Sequence, residues 1–116
     1  MNVYKIKITA QAKKHLTRIR DYISFELASP QAAKHTLKLF YEAMRTLEEM
    51  PERCQRIDEM PWHELGFRKI RVKNYYIYFW IDEEGKEVQI IAVIYVKREQ
   101  ARQLENLKVE KNRNAK

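Results

Sequence analysis

Residues 66–82 read GFRKIRVKNYYIYFWID, and residues 87–99 read EVQIIAVIYVKRE. Alternating and continuous apolar residues in this stretch predict three β-strands. The predicted strands span residues 67–73, 75–82 and 87–96. The last two are apolar on both faces, which is typical of strands at the centre of a sheet. Short connections, one of them Glu83-Glu-Gly-Lys, predict that the three strands form an antiparallel meander.

The residues before the meander predict one strand and two helices. Residues 3–8 alternate between apolar and polar side chains, so they predict a half-buried strand. Thr9 is a favourable N-cap for a first helix, and Ser29 followed by Pro30 favours the start of a second. Pro51 ends the second helix. The apolar stripes are Ala12, Leu16, Ile19 and Ile23 in the first helix and Ala33, Leu37, Phe40, Met44 and Leu47 in the second.

The order of strand, helical hairpin and three-stranded meander predicts an α+β fold with one largely antiparallel sheet. Both helices should pack on one face of the sheet, which leaves the other face partly open for a site. We predict a single domain over residues 1–108, with a short helix at 99–107, and a flexible tail at 109–116. The segment 51–65 has no clean period and contains two of the three prolines, which indicates an ordered loop.

The charge of the chain is strongly basic. Its 116 residues include 23 lysines and arginines and 16 acids, which gives a formal net charge of +7. Residues 1–50 carry nine cations and five acids, and residues 87–116 carry seven cations and four acids, so both ends are basic. This balance favours nucleic acid, an anionic surface or an acidic protein as partner, while ordinary solubility is the alternative.

Several classes of protein and of site are not supported by the sequence. The single cysteine, Cys54, excludes an internal disulfide, and neither a signal peptide nor a membrane span is visible, so we predict a cytoplasmic protein without a membrane partner. The histidines are scattered and no phosphate loop occurs, so we expect no metal and no cofactor. Cys54 with His63 as its base is one alternative, and structural packing of both residues is the other.

The candidate site is the cationic strand with its aromatic neighbours. Lys69, Arg71 and Lys73 should lie at intervals of about 6.6–7 Å on one strand face, close to the spacing of successive phosphates. Cations beside rings are typical of single-strand binding. The candidate nucleic-acid contacts are Lys73, Tyr76, Tyr95, Lys97 and Arg102. A solvated strand face over an aromatic core is the alternative.

Four segments carry a resemblance to a known family. They are Tyr4-Lys-Ile-Lys-Ile-Thr-Ala-Gln-Ala, Leu16-x-x-Ile-x-x-Tyr-Ile, the stretch from Ala32-Ala to Leu47-x-x-Met-Pro51, and the meander from Gly66 to Glu99. In this order and spacing they resemble the RelE/ParE toxin superfamily of bacterial type II toxin–antitoxin modules, which includes plasmid stabilisation proteins. The resemblance implies the α+β fold predicted above. It also implies a compact toxin held by a cognate antitoxin, with an acidic or amphipathic antitoxin segment on the basic face.

The resemblance allows two activities. RelE-like members cleave messenger RNA on the ribosome without a metal, whereas ParE-like members inhibit DNA gyrase. Lys69, Arg71 and Arg98 match the catalytic cations of the RelE-like members. However, Tyr75-Tyr76 stands where that group has a Tyr-Arg pair, and Leu104 lies near the place of its C-terminal catalytic tyrosine.

Three functional hypotheses follow from the resemblance; we predict the first, and the other two are its alternatives. In the first, the protein is a ribosome-dependent mRNA endoribonuclease: a ribose 2′-OH attacks the adjacent phosphate, and Lys69, Arg71 and Arg98 stabilise the developing charge. Tyr76 or Tyr95 would assist only weakly, because an ordinary tyrosine pKa near 10 makes a poor base. In the second, the same basic face docks on DNA gyrase without nuclease activity. In the third, the chain is a non-toxic binding protein of the same fold.

Overall fold

The computed structural model describes residues 3–98, apart from the side chain of Arg98. Its elements are β1 (Lys5–Ile8), α1 (Ala10–Asp21), α2 (Pro30–Thr46), β2 (Arg68–Val72), β3 (Tyr75–Asp82) and β4 (Glu87–Tyr95). A π-helical segment, Tyr22–Glu26, follows α1, and short 3-10 helices form at Pro51–Arg53 and Val96–Arg98. The predicted helix at 99–107 and the predicted tail at 109–116 lie outside the described residues.

The four strands form one sheet in the order β1-β4-β3-β2. β2, β3 and β4 are the predicted antiparallel meander, and β1 pairs in parallel with β4, with Lys5 opposite Glu87. The α+β fold predicted from the sequence is therefore confirmed. A β-bulge interrupts the pairing of β3 with β4 beside Tyr78, so the neighbours Ile91 and Ala92 both pack on the same face of the sheet.

Both helices begin at the predicted caps. The Thr9 hydroxyl accepts a hydrogen bond from the Ala12 N–H at 3.2 Å, and the Ser29 hydroxyl accepts one from the Ala32 N–H at 3.3 Å. These bonds satisfy amide groups that have no partner within the first helical turn. Within residues 3–98, no helix is both long and apolar enough to cross a bilayer.

The helices pack on one face of the sheet and form the main core, as predicted. Its buried residues come from both helices, the residue before β1, the residue after α2, and the two central strands. They are Tyr4, Ala12, Leu16, Phe40, Met44, Leu47, Ile77, Phe79, Val88, Ile90 and Val93. Burial against the helices explains why one side of β3 and β4 is continuously apolar.

A second, smaller core lies on the opposite side of the sheet, which we call the distal face. Its buried residues are Ile57, Phe67, Tyr78, Ile91 and Ala92, with Trp62, Tyr76, Trp80 and Ile94 packed against them. The segment 51–66 folds over part of this face: the Ile57 N–H donates to the Phe67 carbonyl at 2.8 Å, and the Trp80 indole donates to the Leu65 carbonyl at 3.0 Å. The predicted loop is therefore ordered, and only part of the distal face remains open.

Side chains of α1 complete the outer edge of β4. β1 covers only Glu87–Ile90 of that edge. At the end of this pairing the Thr9 hydroxyl donates to the Ile90 carbonyl at 2.8 Å, and beyond it the Gln11 amide donates to the Ile91 carbonyl at 2.8 Å. The Val93 N–H then donates to the His15 ring at 3.1 Å. Side chains at the start of α1 and along it thus form the hydrogen bonds that a longer β1 would otherwise make with the backbone of β4.

Candidate functional site

Three of the predicted site residues meet on the distal face. Arg71 lies opposite Tyr76 in the pairing of β2 with β3. The Lys69 ammonium lies 4.3 Å from the centre of the Tyr76 ring, and the central guanidinium carbon of Arg71 lies 5.9 Å from it. Such contacts are favourable because a ring face attracts a cation. The structure therefore brings Lys69, Arg71 and Tyr76 together, while their functional role stays a prediction.

Lys73 does not belong to the cationic strand, so this part of the sequence prediction is wrong. β2 ends at Val72, and Lys73 begins the two-residue turn to β3 with a φ of 55°. The Arg71 guanidinium donates to the Lys73 carbonyl at 2.9 Å, and the Val96 N–H donates to the Asn74 carbonyl at 2.7 Å. Lys73 is exposed at this end of the sheet.

Tyr95 lies on the helix side of the sheet, away from the other predicted contacts. It pairs with Tyr75, and the two ring centres are 5.5 Å apart. Tyr75 in turn packs edge-on against Phe40 of α2 at 5.2 Å. Because facing residues of paired strands project to the same side, Tyr95 is not brought together with Tyr76. Tyr95 therefore does not join the other predicted contacts on the distal face, and its role as a nucleic-acid contact stays a prediction.

The remaining predicted cations lie at or beyond the end of β4. Lys97 is exposed in the 3-10 helix that follows this strand. The Val96–Asn74 hydrogen bond joins this helix to the β2–β3 turn, so Lys97 and Lys73 belong to the same end of the sheet. The backbone of Arg98 is there too, but its side chain, like all of Arg102, lies outside the described part of the chain.

Arg68 has a structural role that the sequence did not reveal. Its guanidinium donates to the carbonyl oxygens of Glu52 and Cys54, and so ties the segment 51–66 to the sheet edge. Nothing in its sequence environment distinguished it from the neighbouring cations, because the carbonyl groups belong to a segment without periodicity.

The surroundings of Cys54 and His63 favour structural packing over a nucleophile and its base. Burial is the largest influence on Cys54 and raises the pKa of its thiol, although Arg53 and Arg68 act in the opposite direction. A raised pKa disfavours the thiolate that nucleophilic attack requires. His63 places its Nδ1 atom 3.0 Å from the Ile57 carbonyl, which fits a ring held for structure. The described residues also contain no group of three or more potential metal ligands.

A groove between the two helices is a second surface feature that the sequence did not indicate. It has a volume of about 610 Å³. Apolar side chains of α2, including Ala33, Leu37 and Tyr41, line it. Its cations are Arg20, Lys34, Lys38 and Arg45, and Glu42 is its acid. The groove thus combines an apolar lining with a positive border.

Solved structures of toxin–antitoxin proteins have the same fold. The chromosomal ParDE system of Pseudomonas aeruginosa is 23% identical, with a TM-score of 0.68 over 83% of this chain and 99% of the other. The RelBE2 toxin–antitoxin complex of Mycobacterium tuberculosis is 20% identical, with a TM-score of 0.56 over 82% and 93%. The archaeal RelE–RelB complex of Pyrococcus horikoshii is 19% identical, with a TM-score of 0.54 over 85% and 100%. The fold is therefore of the RelE/ParE class.

Residues 6–100 match the family described as the ParE toxin of the type II toxin-antitoxin system parDE. Because this match covers most of the chain, the protein belongs to the ParE family of type II toxin–antitoxin toxins. None of the curated proteins compared with the chain matches it significantly. The family confirms the resemblance seen in the sequence, and it leaves the target of the toxin to be inferred from the site.

Proposed function

We propose that the protein is a ParE-like toxin that inhibits DNA gyrase by docking through the distal face, without cleaving RNA. The position of Tyr95 carries this proposal. It is the ring nearest in sequence to the place of the RelE-like catalytic tyrosine, yet it packs with Tyr75 on the helix side. A phosphate held by Lys69 and Arg71 on the distal face would therefore be out of its reach. The match to the ParE family supports the same conclusion.

The distal face suits docking on a negatively charged target. Lys69 and Arg71 are held on hydrogen-bonded strands, and both lie near the Tyr76 ring. Fixed cations on a rigid sheet lose little conformational entropy on binding, and they attract an acidic surface over a distance. No proton transfer is required of any residue in this role.

A gyrase assay with charge-reversed variants tests the proposal. The purified protein should inhibit supercoiling and stabilise gyrase–DNA cleavage complexes, and Arg71→Glu should reduce inhibition at least about tenfold through charge repulsion. Lys13→Glu, an exposed position on α1, is the matched control and should retain inhibition. Growth arrest on expression together with unaffected gyrase in vitro would exclude this target.

A RelE-like mRNA endoribonuclease is the second candidate, with the ribosome and its message as partners. The observation in its favour is that Lys69 and Arg71, which match catalytic positions of that group, lie close together beside Tyr76. Under the gyrase proposal, messages should remain intact in translating cells that express the protein. Cleaved messages that disappear with Arg71→Ala would establish the nuclease instead. The non-toxic binding protein is the third candidate, and it predicts normal growth on expression.

We propose a cognate antitoxin as the partner of the toxin and the cytoplasm as its location. The M. tuberculosis and P. horikoshii structures are complexes of a toxin with its antitoxin. In this chain, the groove between the helices suits an amphipathic acidic segment, because an apolar lining and a cationic border match the two faces of such a helix. The sequence predicted this segment on the distal face, and the groove offers it a better-shaped surface.

A further inference from the structure

Both hairpin turns of the meander hold a lysine in a left-handed backbone conformation. The φ angle is 55° at Lys73, between β2 and β3, and 51° at Lys86, between β3 and β4. This conformation is strained for a residue with a side chain, whereas glycine adopts it freely. Gly85 stands next to Lys86 for another reason: a Cβ atom there would lie 2.9 Å from a carboxylate oxygen of Asp82.

The two lysines differ in what their side chains contact. The Lys86 ammonium lies 5.3 Å from the centre of the Tyr4 ring and 3.9 Å from a carboxylate oxygen of Glu83, so it helps to hold the turn. Lys73 is exposed, and within residues 3–97 its ammonium has no ion pair or ring contact. Strain at a residue whose side chain does not support the fold points to a functional contact.

The turn that carries Lys73 is fixed on two sides. Arg71 donates to the Lys73 carbonyl at 2.9 Å, and the Val96 N–H donates to the Asn74 carbonyl at 2.7 Å. Asn74 follows Lys73, and exposed Lys97 follows Val96. The Val96–Asn74 hydrogen bond therefore joins the residues next to the two lysines. The turn is thus a rigid support for positive charge, next to the strand pair that carries Lys69, Arg71 and Tyr76.

We propose that the β2–β3 turn is a phosphate contact, in which Lys73 and Lys97 bind the backbone of a single-stranded nucleic acid. The neighbouring Tyr76 ring, with Lys69 4.3 Å from its centre, gives this end of the distal face the combination of a ring and cations that suits a nucleic-acid strand. Sites for single strands combine aromatic rings with cations that follow the backbone. This inference goes beyond the proposed function, since it does not depend on gyrase being the target.

Salt-dependent binding to a short fluorescein-labelled oligo(dT) tests the contact, with Lys73→Gly and Lys86→Gly as a matched pair. Each phosphate contact on a single strand contributes about 0.7 to the slope of log affinity against log salt. Loss of one contact should therefore weaken binding about fivefold at about 0.1 M salt and reduce the slope by about 0.7. Lys73→Gly should show both changes, Lys86→Gly should show neither, and Lys73→Arg should bind as the original protein does.

Thermal unfolding separates a lost contact from a lost fold. Lys73→Gly relieves the strained φ, so its melting temperature should rise by about 4 °C. The proposal is overturned if the original protein does not bind the oligonucleotide, or if both glycine variants weaken binding equally, which would indicate net charge alone. Normal oligonucleotide binding by Lys73→Gly, with weakened binding to a protein partner, would overturn it too. Failure of the gyrase proposal would be seen separately, in the supercoiling assay.

Discussion

At His15, one ring nitrogen connects the first helix with the last strand. Its Nδ1 atom accepts a hydrogen bond from the Val93 N–H at 3.1 Å, which requires a neutral ring protonated on Nε2. Burial, with a smaller contribution from Arg18, lowers the pKa of His15 below its ordinary value of 6.5. The unfolded chain therefore binds this proton more readily than the folded one.

The pH dependence of stability follows from that pKa. The contribution of neutral His15 is complete above the unfolded pKa, and it should be lost as the pH falls from about 6.5 through the lower folded pKa. Urea unfolding should show a larger loss of stability toward acid in the original protein than in His15→Gln. His35→Gln, which removes an exposed histidine of α2, is the control and should behave as the original does. Identical pH profiles for all three proteins would contradict this role for His15.

The residues of the candidate site were only partly predictable. Lys69 and Arg71 share a face because side chains alternate along any strand, and the sequence is sufficient for that inference. Lys73 shows the limit of that inference. The alternation of charged side chains continues to Lys73, although the strand ends at Val72 and the backbone turns there. The side of the sheet on which Tyr95 lies follows from its pairing with Tyr75. The local sequence pattern does not determine that pairing register.

At the level of elements, Thr9 joins the start of α1 to β4. Its buried hydroxyl donates to the Ile90 carbonyl at 2.8 Å and accepts from the Ala12 N–H at 3.2 Å. Thr9→Val keeps the shape and removes both bonds, so it should lower the free energy of unfolding by about 3 kcal/mol. The comparison is Ser29→Ala, at a cap whose single side-chain bond is exposed; this change should cost about 1 kcal/mol. Equal losses in urea unfolding would contradict the link between α1 and β4.

The helices were predictable because each has a capping residue and an apolar stripe. The meander was predictable because its strands have alternating or continuous apolar residues. The strands β3 and β4 are apolar on both faces since helices cover one side and the segment 51–66 covers part of the other. The position of that segment was not predictable. Ile57 is fully buried, yet no repeating pattern around it marks it as a core residue.

The whole molecule presents two basic surfaces, the distal face and the groove between the helices. If the antitoxin occupies the groove, Lys38→Glu combined with Arg45→Glu should weaken antitoxin binding at least about tenfold by like-charge repulsion. The same variant should still inhibit gyrase. Arg71→Glu should show the opposite pattern, and Lys13→Glu should retain both interactions. Calorimetric titration measures antitoxin binding, and the supercoiling assay measures gyrase inhibition. Loss of both activities in a variant that changes only the groove or only the distal face would show that the two surfaces are not separate.

The parallel contact of β1 with β4 has a consequence for how the toxin comes into being. A translating ribosome releases Lys5–Ile8 well before the neighbour of that strand, Glu87–Ile90, because both helices and two strands lie between the two segments. Contacts between such distant segments form late, since the intervening polypeptide must first be brought into place. Each newly made toxin molecule therefore passes through a period in which its first strand has no partner. The toxin fold is complete only once that pairing has formed.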